Sequence, residues 1–170
     1  MMGSSELLVL PTGSANTASV MAGLARAGGR PHMAASPRQV GRTRAVVVPG
    51  VGAYDAALDH LRSTGLLAPL SSRIKTGQPT LLICVGLQIL CAGSEESPGA
   101  AGLGLLPGRA LRFSPQVRNP HMGWNHVLPG PSCRLLREGY AYFAHSYRLL
   151  SPLPGWETAV ACHDGPFVAA

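Results

Sequence analysis

Pro79-Thr80-Leu81-Leu82-Ile83-Cys84-Val85-Gly86-Leu87-Gln88 runs from an apolar strand directly into a helical stretch that continues through Ile89 and Leu90. A short, unbroken apolar run after a proline reads as a strand buried on both faces, and such strands belong to parallel sheets. Two more of the kind precede it, Leu7-Leu8-Val9-Leu10 and Ala45-Val46-Val47-Val48. Each leads into a turn and a helix. After Pro11-Thr12-Gly13-Ser14, Asn16 is placed to cap a helix with Val20, Met21, Leu24 and Ala27 at helical spacing, stopped by Gly28-Gly29. After Pro49-Gly50 a helix is expected from about Asp55, with Ala57, Leu58 and Leu61 inward and Gly65 as terminator. Strand and helix in strict alternation specify an α/β fold, an open, mostly parallel sheet flanked by helices.

The second half differs. Gly93 to Ala101 is polar and turn-rich, and short strand-like pieces follow at Ala110 to Phe113, Trp124 to Leu128, Tyr140 to Ala144 and Thr158 to Cys162. Loops at Pro129-Gly130-Pro131 and Pro152 to Gly155 divide them, and Phe167-Val168-Ala169-Ala170 begins another apolar element. Antiparallel strands that continue the sheet at one side are expected here.

The 170 residues suit a single domain, 1–170, with a core large enough to need no disulfide staples. Apolar residues make up 46 % and charged residues 13 %, which argues against intrinsic disorder, a coiled coil and a charge-laced solenoid. The net charge is +6, but all the basic residues except Lys75 are arginines scattered singly. Without a basic run or aromatic interleaving, they argue for a solvated surface and against nucleic acid. No apolar run approaches the roughly 18 residues of a membrane span, and no basic segment precedes an apolar one at the N-terminus. Cys84, Cys91, Cys133 and Cys162 lack metal or disulfide spacing and read as reduced thiols, which points to a cytoplasmic protein with no metal and no cofactor.

Four segments could carry chemistry. Cys84 stands at a strand-to-helix junction, where the helix N-terminus favours a thiolate and can stabilise an oxyanion. Equally, a lone cysteine can be a small buried hydrophobe. Pro49-Gly50-Val51-Gly52-Ala53 is a Gly-rich turn able to present an N–H to a developing oxyanion, or a plain connection. Asn119-Pro120-His121-Met122-Gly123-Trp124-Asn125 gathers His, Trp and Asn in what reads as a turn before a strand, either an interface anchor or a Trp under its own loop. Tyr142-Phe143-Ala144-His145-Ser146-Tyr147 ends a strand in a polar cluster whose His145 is either a base or a structural histidine.

Together and in this order, these segments resemble the glutaminase subunits of imidazole glycerol phosphate synthase, class I glutamine amidotransferases of histidine biosynthesis with a flavodoxin-like fold. The matching stretches are Pro49-Gly50-Val51-Gly52-Ala53-Tyr54, Ile83 to Gln88, Gly102-Leu103-Gly104-Leu105, Pro120 to Asn125 and Tyr142 to Tyr147. The resemblance implies that Cys84 attacks the glutamine side-chain amide and forms a γ-glutamyl thioester. It assigns the oxyanion to the N–H groups of Val51, after a peptide flip, and Val85. It assigns glutamine binding to Gly50, Gly52, Gln88, Ser146 and Tyr147. His121, Met122, Trp124 and Asn125 would lie against a (β/α)₈ cyclase partner that receives the ammonia in a heterodimer.

The sequence departs from that family at three places. Leu82 stands where the family pattern Gly-x-Cys-x-Gly has its first Gly, and is expected to crowd the turn by about 1–3 kcal/mol or displace Cys84. Pro11-Thr12-Gly13 replaces the family's Asp-Tyr-Gly. The family's Phe-His-Pro-Glu segment, which supplies the triad His and Glu, has no counterpart, so the domain is expected to be C-terminally incomplete. A truncated copy of a working enzyme and a degenerate paralogue both fit. The alternative function is accordingly a pseudo-glutaminase that docks on the cyclase without catalysis. A different cysteine hydrolase on the same elbow, or a chaperone-like α/β protein, that uses another acid or base is a third reading.

Overall fold

In a computed structural model, which describes residues 6–151 and 153–170, the apolar runs of the first half line up in one parallel sheet. The chain divides into two compact units, Met1–Leu90 and Cys91–Ala170. The first contains β1 (Glu6–Val9), α1 (Thr17–Arg26), β2 (Arg30–Met33), α2 (Pro37–Val40), β3 (Ala45–Val48), α3 (Tyr54–Ser63), α4 (Leu67–Lys75), β4 (Thr80–Leu82) and α5 (Val85–Gln88). Strand order is β2-β1-β3-β4, with Leu8 opposite Val46 and Val48 opposite Leu82. Leu8, Val9, Leu10, Val46 and Val48 are essentially inaccessible, as unbroken apolar runs covered on both faces must be.

Local sequence accounts for the helices. The Asn16 carboxamide accepts the Ser19 N–H at 3.1 Å and caps α1, as expected. Tyr54, Ala57, Leu58 and Leu61 bury one face of α3, and Gly65 turns the chain with φ +70°. The expectation missed β2, α2 and α4. Arg30-Pro31-His32-Met33 has no apolar run because β2 is the first strand of the row and its side chains are exposed or half-buried. α5 is a single turn rather than a long helix. β4, moreover, is the last strand of the row and not a central one, so Leu81 and Ile83 remain 51 % and 37 % exposed.

The start of β4 is fixed by Arg73, a fully buried arginine on α4. Its guanidinium donates to the carbonyls of Val40 and Thr43 (both 2.7 Å), Arg44 (2.9 Å) and Pro79 (2.8 Å). It also reaches the Gln78 side-chain oxygen at 3.0 Å and the Thr80 hydroxyl at 3.1 Å. The planar fork thus bonds the connection into β3 to the connection into β4. A buried cation needs this many acceptors to offset its desolvation, which also pushes its pKa down.

The second unit comprises β5 (Gly93–Ser94), β6 (Arg109–Arg112), β7 (His121–Pro129), β8 (Gly139–His145), β9 (Tyr147–Arg148), β10 (Ala159–Cys162) and β11 (Pro166–Val168). Pro152, within the expected loop 152–155, lies outside the described residues. Antiparallel strands are present as expected, but they do not extend the parallel sheet. They form a sheet of their own, β11-β10-β7-β8, beside a smaller one, β5-β6-β9. The reason is pairing: β7 and β8 match in full register from His121 opposite His145 to Val127 opposite Gly139, and β10 takes the other edge of β7. Phe113, Ala161 and Phe167 form the core here, with Val117, Phe143 and Ala169 packed against them.

Candidate active site

In the first unit the site is built on two adjacent strand ends. Cys84 follows β4 with φ 55° and ψ −113°, a conformation that side chains other than glycine rarely adopt, and it caps α5. The carbonyl of Cys84 already accepts from Leu87 (2.9 Å) and Gln88 (3.1 Å), so the helix starts immediately behind the thiol, which is exposed. Val85 is the first helical residue, and its N–H therefore has no intrahelical acceptor. Close backbone approach makes the elbow possible. A Cβ on Gly86 would lie 2.2 Å from the Val48 carbonyl oxygen, the same atom that accepts the Ile83 N–H at 2.9 Å. A Cβ on Gly50 would meet Gly86 N and Val85 Cβ, both at 2.9 Å. Leu82 is half-buried in the β3–β4 ladder, opposite Val48, and Cys84 two residues on has its positive φ.

The Gly-rich turn after β3 is held from the loop after β1. The Thr12 hydroxyl donates to the Pro49 carbonyl at 2.8 Å, and the Ser14 hydroxyl donates to the Val51 carbonyl. These two bonds bracket the Gly50–Val51 peptide. Gly52 has φ +93°, and Val51 is 48 % exposed. In the sequence Thr12 and Ser14 read only as parts of a connecting turn; two hydroxyls at the carboxyl end of a parallel strand were the available signal of their role. Gln88 is buried on α5.

In the second unit the Pro120–Asn125 motif lies in β7 itself and not in a turn before it, and the two-residue strand period splits it. Met122 and Trp124 are 52 % and 72 % exposed, whereas His121 is buried. On β8, Tyr142 opposite Trp124 and Tyr140 opposite His126 are also exposed, and Trp124 meets Tyr142 edge-to-face at 5.8 Å. The resulting apolar and aromatic face has the composition of an interface anchor. Tyr140 and Leu128 lie outside the motifs, although alternation along both strands marks them with Tyr142 on this face.

His121, Asn125 and His145 are linked beneath that face. Asn125 Nδ2 donates to the Cys162 carbonyl at 2.8 Å and lies 3.4 Å from His121 Nε2. His121 Nδ1 is 3.0 Å from His145 Nε2, and His145 Nδ1 is 3.0 Å from the Tyr147 carbonyl. His163 stacks on His121 at 4.1 Å, and Phe113 and Phe167 close the cluster. Burial, with His163 and His145 nearby, pushes the His121 pKa down to about 4; burial also lowers that of His145. Both His145 nitrogens are therefore engaged. Ser146 accepts the Phe113 N–H at 3.3 Å and Tyr147 pairs with Arg112 in β9, so the segment sits in defined backbone geometry. Among the described residues no cluster of His, Cys, Asp and Glu is arranged to hold a metal ion, and no helix is long and apolar enough to cross a membrane.

No family model matches the chain. Curated relatives do. It is 38 % identical over 177 residues to "Imidazole glycerol phosphate synthase subunit HisH" of Synechococcus elongatus, covering all of this chain and 81 % of the relative. The protein of the same description from Deinococcus radiodurans is 36 % identical over 171 residues, 97 % of this chain and 80 % of the relative. That of Methanothermobacter thermautotrophicus is 38 % identical over 144 residues, covering 83 % and 72 %. A solved structure described as "Crystal structure of glutamine amidotransferase" superposes with a TM-score of 0.68 at 17 % identity, over 87 % of this chain and 75 % of that one, which establishes likeness of fold.

Proposed function

The chain belongs to the family of imidazole glycerol phosphate synthase HisH subunits, and from that membership we propose that it hydrolyses glutamine to glutamate and ammonia with Cys84 as nucleophile. The observation that carries the reading is the elbow: an exposed thiol at φ 55°, directly on the N-terminus of α5, seated by a glycine whose Cβ would lie 2.2 Å from the Val48 carbonyl oxygen. In this mechanism the Cys84 sulfur attacks the side-chain amide carbon, and the oxyanion that forms is met by N–H groups. Val85 supplies one from the helix N-terminus, and Val51 supplies the other after the Gly50–Val51 peptide turns over. The bracketing of that peptide by Thr12 and Ser14 supports this choice, because it leaves the intervening unit as the one free to rotate. The C–N bond breaks as the thiol proton leaves with ammonia; water then attacks the thioester and restores the thiol. Gly50, Gly52, Gln88, Ser146 and Tyr147 are proposed to bind glutamine.

Ammonia would pass to a cyclase subunit with a (β/α)₈ barrel in a cytoplasmic heterodimer. The exposed Met122, Trp124 and Tyr142 face supports this docking surface, with Asn125 at its inner side. The chain contains no His-Pro-Glu sequence to serve as the family's base and its orienting acid. General-base assistance of that kind is worth about 10²–10⁴-fold. The test is glutamate release by the chain mixed with a cyclase subunit and its ribulosyl ligand, beside Cys84→Ser. Release that vanishes in the variant supports the reading. Complex formation with no release in either protein replaces it with a docking subunit.

A further inference from the structure

We propose that His121 and His145 are positioning residues, a neutral two-histidine relay that runs from Asn125 to the Tyr147 carbonyl and holds the Ser146–Tyr147 backbone for glutamine. The inference rests on the glutaminase reading for its ligand, but its geometry stands independently. Both ends of the chain of contacts are fixed by atoms that cannot change role. The Tyr147 carbonyl can only accept, so His145 Nδ1 carries a hydrogen at the 3.0 Å contact. The Cys162 carbonyl can only accept, so the Asn125 atom 2.8 Å from it is the NH₂ group, and that group also faces His121 Nε2 at 3.4 Å. Between them, His121 Nδ1–H donates to the lone pair of His145 Nε2 at 3.0 Å. Every donor then meets an acceptor, with the hydrogens pointing one way from Asn125 to Tyr147.

A proton added anywhere breaks the sequence. On His145 it would place Nε2–H against His121 Nδ1, force the hydrogen of His121 onto Nε2, and set that N–H against the Asn125 NH₂. The surroundings oppose such a proton. His163, in the turn between β10 and β11, stacks on His121 at 4.1 Å, and Arg148 from β9 repels charge on His145. The nearby carboxylate, Asp164, is already bonded to the Ser114 N–H and hydroxyl and to Arg148. Phe113, Phe143 and Phe167 supply only rings. Burial accordingly keeps both histidines below the ordinary range, His121 at about 4.

Two measurements test the relay on the full chain with its partner subunit. First, imidazole ¹⁵N spectra at pH 7 are expected to report His121 and His145 as neutral Nδ1–H tautomers, the less common form in water. Either ring found as Nε2–H or as imidazolium overturns the proposal. Second, His145→Phe retains a ring but removes both hydrogen bonds. It is expected to raise KM for glutamine about tenfold with a smaller change in kcat, while His145→Asn, which keeps a donor near the Nδ1 position, recovers KM to within about threefold. Equal KM in wild type and His145→Phe, with both folded by circular dichroism, overturns it. A wild-type chain that turns over no glutamine yet has both Nδ1–H tautomers overturns the glutaminase reading and the ligand of the relay, and leaves the hydrogen-bond chain intact.

Discussion

Replacing Gly86 by Ala adds one methyl group to the tightest contact beneath Cys84. The new Cβ would lie 2.2 Å from the Val48 carbonyl oxygen and 3.2 Å from its carbon. An ordinary contact lies at 3.4–4 Å, and the neighbour is backbone, so no rotamer change relieves it. Val48 belongs to β3 and is fully buried, and its oxygen also accepts the Ile83 N–H at 2.9 Å. The displacement must fall on the β4–α5 junction. Overpacking costs about 1–3 kcal/mol and the weakened hydrogen bond about 1 kcal/mol, while alanine's better helix propensity returns about 1 kcal/mol. A net destabilisation of about 2 kcal/mol follows, or a fall of about 1 M in the urea midpoint at a typical slope of about 2 kcal/mol per M. Because an ångström of misplacement at a reacting atom costs about 10²-fold, glutaminase kcat should fall by a similar factor. Gly41→Ala is the control: Gly41 has φ −81° and nothing within 4 Å of a built Cβ, so its midpoint should be unchanged or slightly higher. A Gly86→Ala protein with the wild-type midpoint and rate would refute the close-approach argument.

Arg73→Met should destabilise the first unit by about 3 kcal/mol or more in urea titration, because it removes the donor from the buried Val40 carbonyl and from the partly buried Thr43 and Arg44 carbonyls, and leaves Pro79 only the Val46 N–H. Arg73→Lys, with three donors in place of a planar fork, should recover less than half of that. Trp124→Ala should weaken capture of the cyclase subunit by about 2 kcal/mol, roughly 30-fold in Kd by calorimetry, with the urea midpoint unchanged, since the side chain is 72 % exposed. Acidification should unfold the second unit through His121. Its folded pKa, about 4, lies below the unfolded value, so the unfolded chain binds more protons between the two. Stability from this group is complete above about pH 6.5 and falls by about 3 kcal/mol as pH drops towards 4. Urea titrations at pH 7.5, 6 and 5 should follow that slope, and His121→Phe should flatten it.

The unbroken apolar runs at β1, β3 and β4, the Asn16 cap and the Gly65 stop are local signals, and sequence alone determined the parallel α/β half from them. Cys84 and the family motifs were legible for the same reason: they are contiguous, and a backbone elbow is encoded within a few residues. What tertiary structure decided depends on partners distant in sequence. β2 has no apolar signature because it ends the row, and the antiparallel strands separated into sheets of their own because β7 pairs with β8 and β10. No spacing rule announces that Arg73 meets carbonyls about thirty residues upstream, or that Thr12 and Ser14 hold a turn 37 residues away. His121 read as part of an exposed anchor, yet strand alternation turns it inward, 24 residues from the His145 it bonds. A chain reports its own backbone preferences residue by residue; which side chains share a hydrogen bond is fixed only when packing has brought them together and excluded the water that would otherwise satisfy them.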